Sequence, residues 1–512
     1  MLRAAAVWCG FATAALAASC WRNTSCSGFP EASFPGPWEA NIYSPASRSI
    51  HPKFVLSRDG EFVSEYGSET SITLDSSATS MVFDFGIEVG GIISFDYALT
   101  GSNTTDLGLA FTEAKDFIGP GSDSSRGGSG GRPGDGPLEV KATSGNGHYI
   151  MPDDKMRGGF RYLTIFLDTN ATDVTLDLTK ISLEISFQPT WADLRAYGGY
   201  FHSNDELLNK IWYSGAYTIQ TNSVPGNAGQ NPLRNEEPGW RNNAVITEDA
   251  TVLLDGAKRD RFVWIGDMGV AVPSAFVSTG DLESTKYALL AIFDNQRSDG
   301  MFPKAGPPYV RWDSDAYHLW ALIGTYNYYL YSGDTELLEE LWPKYEAGLD
   351  YALSLLNSDH IVSVRGESDW GRLTSTKERS SISMLLYHAL TTGADMAAWL
   401  PPTVVKPNTS ETYAATAATL RDAIMDQFWD EDVGAFSESP KNGSLHPQDA
   451  NSFALAYGIV VGGTTEASRV SDYLASTWTP VEGTEGLLDL PGCDLVKVKG
   501  GKGKTTVPIT DV

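Results

Sequence analysis

Basic residues are scarce in this chain of 512 residues: 37 Lys plus Arg face 64 Asp plus Glu, giving a net charge of −27, and no Lys/Arg-rich face offsets it. That balance excludes nucleic acid and anionic membranes as partners. Histidine is rarer, with seven residues scattered without H-x-x-x-H or Cys/His spacing. No cofactor and no transition-metal site is therefore expected, while the many Asp residues leave calcium open. Beyond the first segment no apolar run reaches the roughly 18 residues that a membrane-spanning helix needs. Cysteine is limited to Cys9, Cys20, Cys26 and Cys493. Cys20 and Cys26 are near enough for a small disulfide loop, which implies an oxidising compartment.

What is present is the composition of a folded, exported protein. Hydrophobic residues at 42% and aromatics at 11% supply a sizeable core, and the length implies two or three domains. Residues 1–18 set Arg3 before an apolar stretch running from Ala4 to Leu16 and close on small residues, the pattern of a signal peptide. Sequons at Asn23, Asn103, Asn170, Asn408 and Asn442 fit glycosylated loops of a secreted, extracellular protein. Nothing in the composition sets an oligomeric state.

From 19 to 197 the pattern has period two, clearest in Val174-Thr175-Leu176-Asp177-Leu178 and Ile181-Ser182-Leu183-Glu184-Ile185-Ser186-Phe187. Such alternation makes half-buried strands, and further strands are expected at 81–85, 92–99, 107–112 and 160–167, together forming a β-sandwich. Residues 119–137, almost all Gly, Ser, Asp, Arg and Pro, read as a disordered surface loop. From 198 to 480 the period is helical. Helices are expected at 204–222, 245–254, 262–279, 282–297, 313–331, 334–357, 376–398, 410–428, 448–461 and 464–476. Helical hairpins joined by loops rich in Trp, Asp and Gly predict an (α/α)6 toroid whose loops at one end build a site. The expected fold class is multidomain β + α, an N-terminal β-sandwich followed by this toroid. Six hairpins need twelve helices, so ten leave the ring incomplete, and the atypical Lys/Gly-rich tail at 481–512 breaks the pattern.

The densest polar constellation is Asp255-Gly256-Ala257-Lys258-Arg259-Asp260-Arg261-Phe262-Val263-Trp264-Ile265-Gly266-Asp267. Carboxylates sharing a concave site push one another's pKa values apart, leaving one protonated as a general acid. Trp264 offers a flat face to a sugar ring. The bland alternative is a solvated loop with an Arg/Asp network. Arg311-Trp312-Asp313-Ser314-Asp315 and Ser368-Asp369-Trp370-Gly371-Arg372 repeat the pairing of Trp with Asp that pyranoses favour, with apolar faces and bidentate hydroxyls. Taken singly, each of those clusters is more often an N-cap Asp beside a core Trp. Gly127-Gly128-Ser129-Gly130-Gly131 spells a nucleophile elbow but lies in the low-complexity loop. Gly503-Lys504-Thr505 lacks the glycine that a phosphate loop requires, since position 498 is Val.

The segment from Asp255 to Asp267 resembles the signature loop of the α-L-rhamnosidases of glycoside hydrolase family 78, six-hairpin glycosidases, particularly the secreted fungal type. Looser matches run from Phe83-Asp84-Phe85-Gly86 through Gly199-Tyr200-Phe201 and Leu207-Leu208-Asn209-Lys210-Ile211-Trp212 to Asp369-Trp370-Gly371-Arg372, and on to about Pro480. The resemblance implies inverting hydrolysis of terminal α-L-rhamnosides, from plant glycosides or pectic polysaccharides, so the expected partner is a rhamnoside. It implies Asp260 as general acid, with Asp255, Arg259, Trp264 and Asp267 holding the sugar and Trp312, Asp315, Asp369 and Trp370 completing the pocket. The family's general base is a Glu late in the toroid, for which neither Glu482 nor Glu485 sits in a matching motif. A C-terminally incomplete homologue with impaired catalysis, acting at most as a rhamnoside-binding protein, is the alternative, and another enzyme on the same toroid is a third.

Overall fold

Alternating side chains in the N-terminal part build eight antiparallel strands: β1 (Ser49–Ile50), β2 (Phe54–Leu56), β3 (Phe62–Glu65), β4 (Ser71–Leu74), β5 (Ser80–Thr112), β6 (Leu138–Ile150), β7 (Arg157–Leu167) and β8 (Thr175–Ile185). The structure, a computed structural model, describes residues 20–125, 134–169, 172–231, 240–369, 376–441 and 443–477. The signal segment, the tail at 481–512 with Cys493, the centre of the Gly/Ser loop, the sequons at Asn170 and Asn442, and Trp370 lie outside the described residues.

Strand β5 threads both layers of the sandwich. Its residues 80–84 pair with β2 and β7, residues 91–100 mainly with β8 and β6, and residues 104–112 with β6 and β7. Three separately expected strands are thus one run, bent at Gly101 (φ 81), where a Cβ would fall 1.7 Å from the Asp173 carbonyl oxygen. Only glycine fits there. In β8 the inward set passes from Leu176 and Leu178 to Ile181, Leu183 and Ile185, a slip of phase at Lys180, which has φ 52. One inserted residue shifts a period-two pattern by one and so keeps both halves apolar-side in. Between the layers Phe111, Phe160 and Phe85 interlock edge to face, a geometry aromatic quadrupoles favour. Cys20 and Cys26 form a disulfide with S–S 2.07 Å.

Nine α-helices follow among the described residues: α1 (Glu206–Asn222), α2 (Met268–Val277), α3 (Glu283–Phe293), α4 (Asp315–Ser332), α5 (Thr335–Leu353), α6 (Ser380–Trp399), α7 (Thr409–Phe428), α8 (Gln448–Ala456) and α9 (Thr465–Ser476). Helices α2, α4, α6 and α8 pack side by side in an inner row, while their partners α1, α5, α7 and α9 lie outside. Composition follows position. Inner α6 buries most of its length, whereas outer α7 buries one stripe of Tyr413, Ala417, Leu420, Ile424 and Phe428, the narrow face of an amphipathic helix. Asp205 and Asp334 cap α1 and α5 by accepting backbone N–H bonds, as their N-cap spacing implies.

One expected helix is absent. Residues 245–254 are instead a loop ending in strand β10 (Val252–Leu253), paired with β9 (Ser223–Val224). The Thr247 hydroxyl donates to the Asp249 carboxylate and accepts from the Asp249 backbone N–H, and Thr251 is buried against the Ser284 hydroxyl at 2.7 Å. The Thr247–Asp249 turn competes locally with a helix, and the distant partners of Thr251 and Val252 decide against it. The sandwich and the helices share packing: Tyr213, Ala216 and Tyr217 of α1 belong to the sandwich core, and the Tyr217 hydroxyl donates to the Glu88 carbonyl at 2.7 Å. No helix among the described residues is long and apolar enough to cross a membrane.

Candidate active site

The loop of residues 255–267 joins β10 to α2. Asp260 (φ 58) and Arg261 (φ 52) adopt left-handed conformations in sequence, a strained arrangement that persists only where the surroundings fix it. Arg261 does much of that. Only 2% exposed, it donates through Nε and Nη2 to the Ala228 carbonyl at 3.1 and 2.8 Å and through Nη1 to the Ala257 carbonyl. Burial lowers its pKa to about 10, so it remains a cation at neutral pH. The base of the loop is closed by Phe262, whose backbone N–H donates to Asp255 Oδ1 at 3.3 Å.

The sandwich grips the other side of this loop. Lys258 is ion-paired with Glu113 at 2.9 Å and Asp123 at 3.3 Å, and the Asp260 backbone N–H donates to the Ser125 carbonyl at 3.1 Å. Beneath them, the buried Arg157 guanidinium pairs with buried Asp135 at 2.7 Å. None of these sandwich residues was legible as a site residue, because each meets the loop across more than a hundred residues of chain. Glu88 completes the contact. Burial first, then the Glu113 charge, pushes its carboxyl up to about 7 against the opposing pull of Lys258.

This has a consequence for stability. Because the folded pKa exceeds the ordinary Glu value, the folded state binds the extra proton; its contribution is present below about pH 4.5 and is lost as pH rises through about 7. A Glu88→Gln variant, which cannot ionise, should therefore gain in melting temperature over the parent as pH rises across that window. Parallel melting curves at every pH would refute the shift.

Three carboxyls and a tryptophan gather in this one loop. Burial raises the Asp255 carboxyl well above the usual carboxylate range, and the nearby Asp260 and Asp267 charges raise it further. The Asp255 carboxyl therefore keeps its proton to higher pH than a free carboxyl does. Asp260, its side chain 12% exposed, accepts from Trp264 Nε1 at 3.3 Å and lies 3.4 Å from the Arg259 guanidinium. Asp267 is exposed at the start of α2. Trp264 packs among Phe262, Tyr309 and Tyr317. Lys304 stands over the indole at 5.8 Å. Among the described residues no group of three or more His, Cys, Asp or Glu is arranged to hold a metal ion.

Lys304 links this centre to the second Trp/Asp cluster. It is 8% exposed, and its Nζ reaches Asp313 at 2.9 Å and the Ser368 hydroxyl at 2.8 Å. A lone lysine amid apolar neighbours gave no motif in the sequence. Trp312, 37% exposed, lines a neighbouring cavity of about 430 Å³ with Asp313, Tyr351, Arg365 and Glu367. Asp315 does not join that lining. It is fully buried, accepting from the Tyr351 hydroxyl at 2.8 Å on one oxygen and from the Arg365 and Gly366 amides at 2.7 and 2.9 Å on the other. Its expected contact with sugar is thus corrected to a clamp on the cavity wall, because four lone-pair sites are largely used internally. Asp369 lies 3.7 Å from the buried Arg379 guanidinium.

The model of the bacterial alpha-L-rhamnosidase six-hairpin glycosidase domain matches residues 249–479, which include the whole loop and helices α2–α9. No curated protein sequence matches the chain. Among solved structures, the chain resembles a rhamnosidase from Klebsiella oxytoca with rhamnose bound at 19% identity and TM-score 0.61, covering 86% of this chain and 81% of that one. The GH78 family rhamnosidase of Bacillus sp. GL1 matches at 16% identity and TM-score 0.59, covering 87% and 40%. The alpha-L-rhamnosidase from Dictyoglumus thermophilum matches at 18% and 0.55, covering 85% and 42%. The chain spans less than half the length of the last two. These likenesses establish the fold, an N-terminal antiparallel β region followed by six-hairpin-type helices.

Proposed function

We propose that the chain is a secreted glycoside hydrolase of the α-L-rhamnosidase type, releasing terminal α-L-rhamnose from plant glycosides or pectic polysaccharides with inversion, the attacking water giving its proton to a second carboxylate on the opposite face of the sugar. The observation that carries this reading is the carboxyl trio of Asp255, Asp260 and Asp267 beside Trp264, inside the stretch matched by the rhamnosidase domain model. Acid-assisted glycoside cleavage requires a proton held above the ordinary carboxylate range next to the glycosidic oxygen. The trio holds one. Asp260, at the turn of the loop where Arg259 and the Trp264 N–H both meet its Oδ2, is the donor to the leaving group. Asp255, Arg259 and Asp267 bind the sugar hydroxyls, and Trp264, Trp312 and Asp369 complete the pocket.

Export is part of the proposal. The signal-type segment 1–18, the Cys20–Cys26 disulfide and the exposed sequons at Asn103 and Asn408 all fit a fungal glycoprotein working outside the cell. The test is release of nitrophenol from 4-nitrophenyl α-L-rhamnoside, with NMR of the first sugar formed. Turnover yielding the β anomer supports inversion, and the α anomer would refute it. Rhamnose binding without turnover would instead leave a rhamnoside-binding protein.

A further inference from the structure

Lys304 carries a charge in a place where charge is costly. The residue is buried, yet its carboxylate partner Asp313, reached at 2.9 Å on one oxygen and 3.0 Å on the other, has a side chain 53% exposed. A pair of that kind gains little from its attraction, because water screens the exposed partner while the ammonium has lost its own hydration. A methionine would fill much the same space without that cost. Stability does not account for the lysine.

Its surroundings do. The Lys304 backbone is stitched between two site loops: its carbonyl accepts from the Ile265 amide at 3.1 Å, its amide donates to the Arg311 carbonyl at 2.7 Å, and the next residue, Ala305, bridges Trp264 on one side and Arg311 on the other. From there the side chain reaches Asp313 ahead of α4 and the Ser368 hydroxyl ahead of α6, while the ammonium stands 5.8 Å from the centre of the Trp264 ring. One side chain thus ties together the loops that precede α2, α4 and α6. The same indole donates through Nε1 to Asp260 Oδ2 at 3.3 Å.

We propose that Lys304 is a positioning residue for the general acid, acting on Asp260 through the Trp264 ring. The inference rests on the rhamnosidase reading above. A cation over an indole is attracted to the negative face of the ring, which fixes the ring plane, and by polarising the ring it strengthens the N–H as a donor. That donor and Arg259 both engage Oδ2 of Asp260, so the proton for the leaving group is carried on Oδ1. The contribution of Lys304 is orientation of the acid, not transfer of the proton.

The experiment measures kcat, KM and melting temperature for the parent, Lys304→Met and Lys304→Arg on methyl α-L-rhamnoside and on 4-nitrophenyl α-L-rhamnoside. Lys304→Met should lose about tenfold in kcat on the methyl glycoside, the worth of one desolvated cation–π contact, with KM and melting temperature near those of the parent. The loss on the nitrophenyl glycoside should be much smaller, because nitrophenolate departs without an acid, and Lys304→Arg should restore most of the rate on the methyl glycoside. An unchanged kcat in Lys304→Met, equal losses on both substrates, a loss that follows melting temperature, or no recovery in a Lys304→Arg protein that melts like the parent overturns the positioning role and leaves the rhamnosidase reading standing. No turnover of either glycoside by the parent overturns that reading, and the role with it.

Discussion

Asp260→Asn should lower kcat on unactivated rhamnosides by about 10² to 10⁴, the usual worth of a positioned acid, while KM for the same substrate moves far less. The amide keeps the shape of the carboxyl and its contacts to Trp264 Nε1 and Arg259 but has no acidic proton to deliver. The size of the loss should depend on the leaving group. Nitrophenolate leaves without help and should suffer little, whereas a sugar or alkyl aglycone should suffer fully, because general-acid assistance matters only where the departing oxygen is basic. A uniform loss across leaving groups would assign Asp260 to sugar binding instead. Asp255 is then the sharper candidate for the acid, since it is the carboxyl that burial keeps protonated. Asp255→Asn, assayed beside it, separates the two.

The strands and helices are largely legible in the sequence, for identifiable reasons. Period two in β8 and the N-cap Asp residues of α1 and α5 are local signals, and local signals are what a sequence carries. The loop 255–267 stood out because three carboxylates and three cations in thirteen residues are costly unless used. What escaped was non-local. The bend of β5 at Gly101 is dictated by the close approach of Asp173, and the false helix at 245–254 by pairing of Val252 with Val224. Asp315 reads as an accessible carboxylate beside Trp312 until Tyr351, Arg365 and Gly366 arrive from other elements to occupy its oxygens. Lys304 and Glu88 carry no motif at all; their chemistry is created by burial beside charges that the chain brings from afar.

The second large effect is expected from a residue in the sandwich that has no functional group. Gly158, in β7, passes so close to the loop that a Cβ there would fall 1.8 Å from the Ala257 carbonyl oxygen and 2.5 Å from Arg261 Nη1. Gly159 (φ 54) is nearly as tight, with its Cβ position 2.9 Å from Lys258 Cβ. Gly158→Ala must therefore displace either β7, which is locked between two stretches of β5, or the loop that carries Asp260. The loop is the softer of the two. Its fixed points are single hydrogen bonds and the Lys258 ion pairs, whereas moving β7 would break a ladder and open the Phe160 core. Overpacking of this kind costs about 1–3 kcal/mol, and a shift of roughly 1 Å in a catalytic group costs about 10² in rate. Gly158→Ala should thus lose about a hundredfold in kcat with only a few degrees of melting temperature. If stability falls but kcat holds, the sandwich is packing for the helices and no more; if kcat falls as expected, the positions of Asp260 and its neighbours are set from across the domain boundary, and the sandwich is part of the catalytic apparatus.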